Sequence, residues 1–156
     1  MMLLYHGSNM AIEEIDLAKS RPYKDFGKAF YLSADEEQAR EMAKFKMLTG
    51  GGEICITVFE FDEQDLNLLK VKRFEKYTEE WAEFVYNNRD EKQDFYHDFD
   101  LVYGPIANDT VGVQIRDLRE RKISFDVFLK NLEYYKGITF QYAFCTPLAI
   151  SKLKKV

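Results

Sequence analysis

The chain has 156 residues, 46% of them hydrophobic and 31% charged, the size and make-up of one ordinary globular domain, which excludes wholesale disorder, collagen-like repeats and coiled coil. Twenty-seven acids against 22 bases leave a net charge of −5, so there is no strong nucleic-acid signal and only a local basic patch would serve one. No apolar run approaches the ~20 residues that span a bilayer, and MMLLYHGS lacks a signal peptide's positive n-region, so no membrane association is expected and the expected location is cytoplasmic.

Residues 2–6 read as a short buried strand, broken by Gly7-Ser8. Irregular chain follows to residue 16. The segment 25–33, DFGKAFYLS, places a Gly before an apolar run and reads as a loop feeding a short strand. Ser33, with Glu36 three residues later, forms a capping box for an amphipathic helix that runs to about Leu48 and stops at the glycines 50–52. Residues 52–62 form the clearest strand, apolar on both faces. In 74–100, nine acids and three bases make a local −6, while Phe74, Tyr77, Trp81, Phe84 and Val85 fall on one stripe. That pattern reads as a surface helix with an aromatic inner face, or as a docking surface for a basic partner. A strand at 101–103 turns at Gly104-Pro105. Asn108 to Thr110 cap a helix over 110–120, and Ser124 caps another over 125–135 that ends at Gly137. Residues 138–146 are a second clear strand, and Pro147 opens a last short helix. The order is α+β rather than a regular βαβ alternation.

Cys55 and Cys145 sit 90 residues apart in the two clear strands and read as free, buried thiols. Two isolated Cys and two isolated His in no ligand spacing make no metal centre. His97, in the acidic aromatic segment, reads as a surface histidine. His6 differs, because His, Gly and Ser on one turn offer an imidazole, an accessible backbone amide and a hydroxyl together, a set suited to a polar ligand. A satisfied core histidine is the competing reading. Tyr31, at a strand end beside Gly27, offers an aromatic face that fits a flat ring.

YHGS at 5–8 followed by DFGKAFYLS at 25–33 resembles the ADP-ribosyltransferase superfamily, on the His-Tyr-Glu side that includes diphtheria toxin and the poly-ADP-ribose polymerases. With DLVYGPIANDT and the late QYAFCT, four segments in order resemble a small bacterial family of unassigned function placed in that superfamily. The resemblance implies a split pair of small sheets flanked by helices around an NAD cleft, with NAD as co-substrate. It implies that His6 hydrogen-bonds a ribose hydroxyl, that the Gly7 backbone grips the nicotinamide carboxamide beside Ser8, and that Tyr31 stacks on the nicotinamide ring. Lys28 matches a lysine of the polymerases, and Met42 or Phe45 is the expected second wall. The pyrophosphate needs local positive charge, for which Arg21 and Lys24 are the nearest suppliers; Arg116 to Lys122 form a basic stretch that suits a phosphate-bearing acceptor.

The third motif departs. Where the superfamily carries a catalytic Glu on a late strand, this chain has Gln141. Cleavage between ribose and nicotinamide passes through a cationic, oxocarbenium-like state; a carboxylate stabilises it, whereas an amide only hydrogen-bonds. Asp109 is the candidate substitute acid, its other reading being a helix cap. Glu53 and Glu60 are weaker candidates, and Glu133 reads as a solvated helix residue. Three functions follow. The first is an NAD-dependent mono-ADP-ribosyltransferase acting on an unknown macromolecular acceptor or on water, of the kind that serves as a toxin held by a small antitoxin-like protein or as a defence effector. The second is a non-catalytic NAD or ADP-ribose binder. The third is an interaction module using Trp81 and Tyr77.

Overall fold

The computed structural model describes residues 1–93, 95–107, 109–132 and 139–156, with the backbone alone at 109 and 110. In chain order the elements are β1 (Met2–Ser8), β2 (Phe30–Leu32), α1 (Glu36–Gly50), β3 (Cys55–Phe61), β4 (Val71–Arg73), α2 (Glu79–Arg89), β5 (Leu101–Pro105), α3 (Asp109–Arg119), α4 (Phe125–Leu132), β6 (Phe140–Phe144), α5 (Pro147–Ile150) and β7 (Leu153–Lys155). The architecture is α+β with two small sheets, ordered β1-β3-β7 and β2-β6-β5-β4. The first is antiparallel throughout; in the second only the β4–β5 pair is parallel. A single bridge between Tyr5 and Ser33 joins their facing edges, with Tyr5 N–H donating to Ser33 O (2.7 Å) and Ser33 N–H to Tyr5 O (2.9 Å).

The period of two along each strand divides the core. In the first sheet Leu4 opposes Phe59 and Met2 opposes Phe61. Their face meets Phe30, Leu32, Leu101 and Phe144 of the second sheet. The alternate residues of the second sheet, Tyr31, Val102 and Ala143, point the other way. There α2, α3 and α4 cover them with Trp81, Val85, Val111, Ile115 and Phe128. Trp81 is fully buried, and its indole N–H donates to Pro105 O at 2.8 Å. The aromatic stripe read from 74–100 is therefore an inner face, although the helix spans only Glu79–Arg89 and Phe74 and Tyr77 join the core from the segment before it; Trp81 offers no external contact.

Helix limits follow side-chain caps. Thr78 accepts from Trp81 N–H at 3.0 Å to start α2, and Thr146 with Pro147 starts α5. For α1 the cap is Asp35 rather than Ser33. Asp35 accepts from Glu37 N–H, while the Ser33 hydroxyl accepts from Asp35 N–H and donates to Gln38 Oε1. Ser33 is engaged in the bridge to β1, so the chain cannot turn helical until two residues later. Gly51, at φ 78, ends α1 with its N–H on Met47 O. The last helix is a single turn, and Lys154 and Lys155 just after it lie in β7, which completes the first sheet. Gly137 and Glu133 lie outside the described residues. Among the described residues no helix is long and apolar enough to cross a membrane.

Candidate functional site

Strand alternation puts Tyr31 and Gln141 on one face: Tyr31 pairs with Ala143, and Gln141 lies two residues along the same strand. Helix α1 crosses in front of them and presents Met42. These three, from separate stretches of sequence, line a single open cleft of about 440 Å³ with Tyr23, Lys24, Asp25, Arg89, Ile106 and Ala107. Phe45, the other residue considered for Met42's place, is 66% exposed and points away.

Tyr31 is held rigidly. Its hydroxyl donates to Gly27 O (2.6 Å) and accepts from Phe26 N–H (3.1 Å), and the Lys24 ammonium lies 4.5 Å from the ring centroid. Burial raises the phenol well above its ordinary range, and the nearby Asp25 charge adds to this. The ring is thus a neutral wall rather than an acid. Gln141 is buried at 4% exposure and makes no side-chain hydrogen bond to another described residue, so its amide is free to serve the cleft.

His6 stands behind the cleft rather than in its lining. Its ring stacks on Phe30 at 4.1 Å between centroids, and Nδ1 lies 2.7 Å from Tyr31 O. A carbonyl at that distance needs an N–H, so the proton sits on Nδ1 and Nε2 carries the lone pair. Burial, with the Lys46 and Lys24 charges, lowers the imidazole to about 4, so it is a neutral hydrogen-bond acceptor at neutral pH. The sign for stability follows. Between an unfolded value near 6.5 and the folded value of about 4, the unfolded chain takes up a proton that the native state refuses, so stability falls as pH drops through that window. Denaturant unfolding from pH 7 to pH 4.5 should cost the wild type about 2 kcal/mol more than His6→Asn, which lacks the titrating ring.

Gly7 and Ser8 continue β1. Because Tyr5 turns its N–H and C=O toward Ser33, away from β3, Gly7 turns its own toward the same open edge. There the Gly7 carbonyl accepts from the Lys46 ammonium at 2.9 Å. Ser8 is buried at 7% exposure and stays outside the cleft lining. Lys28 does not reach the cleft either. A turn closed by Gly27 N–H on Lys24 O (2.9 Å) directs Lys24 over Tyr31 and leaves Lys28 exposed, so the cleft's lysine is Lys24.

The side chain of Asp109, with all of Asn108, lies outside the described residues. Glu53 and Glu60 belong to the first sheet and its approach, away from the cleft lining. The cleft's carboxylate among the described residues is Asp25. One of its oxygens accepts from Arg89 Nε (2.6 Å), the other from Ala107 N–H (2.6 Å), and Arg89 Nη2 closes the circuit on Ala107 O (2.7 Å). With Asp25 buried and Arg89 half-buried, this pair stitches the 23–27 loop and the segment after β5 into one wall. Asp25 and Arg89 are 64 residues apart in sequence with no shared motif, so nothing in the sequence announces them. Lys46 did have a signal: it lies one helical turn beyond Met42, on the same row of α1.

One other assignment changes. His97 is not a surface residue: its Nε2 lies 2.7 Å from Phe26 O and its ring packs on Phe84 and Phe99. Cys145 is unreactive as a nucleophile, since burial and Asp100 push its thiol up to about 12.

A family model described as "Protein of unknown function (DUF3990)" matches residues 2–155. No curated protein and no solved structure gives a match.

Proposed function

The chain belongs to the DUF3990 family, and we propose that its cleft binds NAD and that it is an NAD-dependent mono-ADP-ribosyltransferase with the split-sheet fold of that superfamily. One observation carries the reading: Tyr31 and Gln141, which the resemblance assigns to its second and third motifs, and Met42, which it offers as the second wall, line one cleft, and His6 joins it through the Tyr31 carbonyl. A cleft of about 440 Å³ is in the usual range for a small-molecule site. The nicotinamide ring lies against Tyr31 and Met42. The His6 Nε2 lone pair accepts from a ribose hydroxyl, and the Gly7 edge serves the carboxamide.

In the reaction the bond between ribose C1′ and the nicotinamide nitrogen breaks. Its electron pair leaves with the ring, which departs as neutral nicotinamide. The acceptor's oxygen or nitrogen, or water, forms the new bond to C1′ and gives up a proton. The chain's own residues bind and orient: Gln141 hydrogen-bonds a ribose hydroxyl, and Tyr31 fixes the leaving group. Purified protein incubated with labelled NAD should release nicotinamide slowly, and Tyr31→Ala should lower that release at least about 10-fold. No release from the wild type across a wide acceptor screen, in conditions where a known transferase works, contradicts transfer.

A second reading, an NAD or ADP-ribose binder without turnover, has its own support. Gln141 is an amide, and the Asp25 carboxylate is engaged on both oxygens by Arg89 and Ala107. It predicts binding with no nicotinamide release. The acceptor, and any antitoxin-like partner, remain expectations from the resemblance.

A further inference from the structure

Two lysines stand on the very groups that a nicotinamide ring needs. Lys24 lies 4.5 Å over the Tyr31 ring, and Lys46 donates at 2.9 Å to the Gly7 carbonyl on the open edge of β1. Neither forms an ion pair with a carboxylate among the described residues. Both are half-buried in a chain of net charge −5, where neutralising acids are plentiful elsewhere. Burial first, and then the like charges of Lys24 and Arg21, lower the Lys46 ammonium to about 8. Lys24 is lowered as well, by burial and by Arg21, though Asp25 pulls the other way. Concentrating cations around a single carboxylate, Asp25, whose oxygens Arg89 and Ala107 already hold, costs stability, and an anionic ligand that enters among them relieves it.

We propose that Lys24 and Lys46 form a binding site for a diphosphate group, and that the diphosphate draws both ammonium groups off the Tyr31 ring and the Gly7 carbonyl, uncovering the nicotinamide subsite. The inference rests on the NAD reading for the identity of the second group; the diphosphate site itself does not need it. Without a diphosphate, the aromatic wall is capped by a cation and the backbone acceptor is already taken. A nicotinamide ring, cationic while joined to ribose, is repelled by Lys24 where it lies. With a diphosphate bound, each lysine trades a weak neutral acceptor for a charged oxygen, which makes the stronger hydrogen bond. The two halves of the ligand are then coupled: the diphosphate end opens the place for the ring end. Such coupling is reciprocal by linkage.

Calorimetry with three probes tests this: inorganic pyrophosphate, ADP-ribose and free nicotinamide, against wild type, Lys46→Met, Lys46→Arg and Lys24→Met. Pyrophosphate and ADP-ribose should bind the wild type and weaken about 10-fold or more in either Met variant, with Lys46→Arg within about 3-fold of wild type. Nicotinamide alone should bind the wild type poorly, bind several-fold better once pyrophosphate is present, and bind Lys46→Met better without it. Unchanged ADP-ribose affinity in both Met variants overturns the site. A loss of ADP-ribose binding with no change in nicotinamide affinity overturns the exchange. Pyrophosphate binding through Lys46 in a protein that neither binds nor cleaves NAD leaves the site standing and refutes the NAD reading. NAD binding and cleavage unaffected in Lys46→Met does the reverse, and a wild type that binds none of the probes refutes both.

Discussion

Gly7→Ala is expected to destabilise the protein by at least about 3 kcal/mol, which for a domain of this size lowers Tm by about 6–12 °C. The reason is distance. A Cβ built on Gly7 falls 1.8 Å from Ala39 O and 2.7 Å from Ala39 C, inside the backbone of α1. Those neighbours are main chain and cannot rotate aside. Ala39 and Ala43 are themselves at 2% and 0% exposure, so the helix is already seated on β1 with the smallest side chains available. Either α1 lifts off or β1 shifts, and each costs core contacts. Because α1 carries Met42 and Lys46, whatever relaxation occurs also moves one wall of the cleft. Thermal unfolding of the variant checks this directly; an unchanged Tm contradicts the close approach. The glycine of the YHGS segment thus has a packing reason that stands whether or not a ligand is ever bound.

Gln141→Glu is the second large effect expected, in the opposite sense: a rise in nicotinamide release on the order of 10²-fold. The substitution is nearly isosteric and places a carboxylate where the amide now sits, in the cleft face beside Tyr31. The C1′ cation that develops as nicotinamide leaves is then opposed by a fixed negative charge. The buried position, at 4% exposure, keeps that charge poorly screened. Desolvation of a new carboxylate is costly alone, but Lys24 and Arg89 line the same cleft and offset it. Equal release by Gln141→Glu and wild type contradicts the view that the missing acid limits the rate. Lost NAD binding in the variant contradicts the placement of Gln141.

The elements that the sequence makes legible are those whose side chains explain themselves. β3 and β6 are rich in aromatic and β-branched residues, and both occur where the pattern puts them, slightly shorter. The aromatic stripe around Trp81 is an inner face because nothing else so apolar pairs with so acidic an opposite face. β4 and β7 are three residues each, and a length of three carries no period to detect. They form because β5 and β3 each leave an edge to which a short extended segment can bond. The cap of α1 moved from Ser33 to Asp35 because a tertiary bridge claims Ser33, which local chemistry cannot foresee.

The site divides along the same line. Tyr31, Gln141 and Met42 are the residues that the resemblance names, and they meet in one cleft, where strand and helix periods turn their side chains to it. His6 was named too, and stands one carbonyl behind. What was not legible is what depends on distant contact. Arg89 on Asp25 and Ala107 is a circuit through three separate segments. Tyr23 holds φ 62 at the cleft rim, a backbone state that no sequence pattern marks for tyrosine. Lys24 and Lys28 are equally plausible lysines on paper, and only the closed turn at Gly27 separates them.

Turnover and binding without turnover share one requirement, that NAD occupies the cleft walled by Tyr31. Titration of the purified protein with a non-cleavable carbocyclic NAD analogue, followed by calorimetry, tests it most directly. The account predicts saturable 1:1 binding to the wild type that weakens at least about 10-fold in Tyr31→Ala, since the ring supplies the stacking surface. No binding to the wild type, or equal binding to Tyr31→Ala, contradicts it.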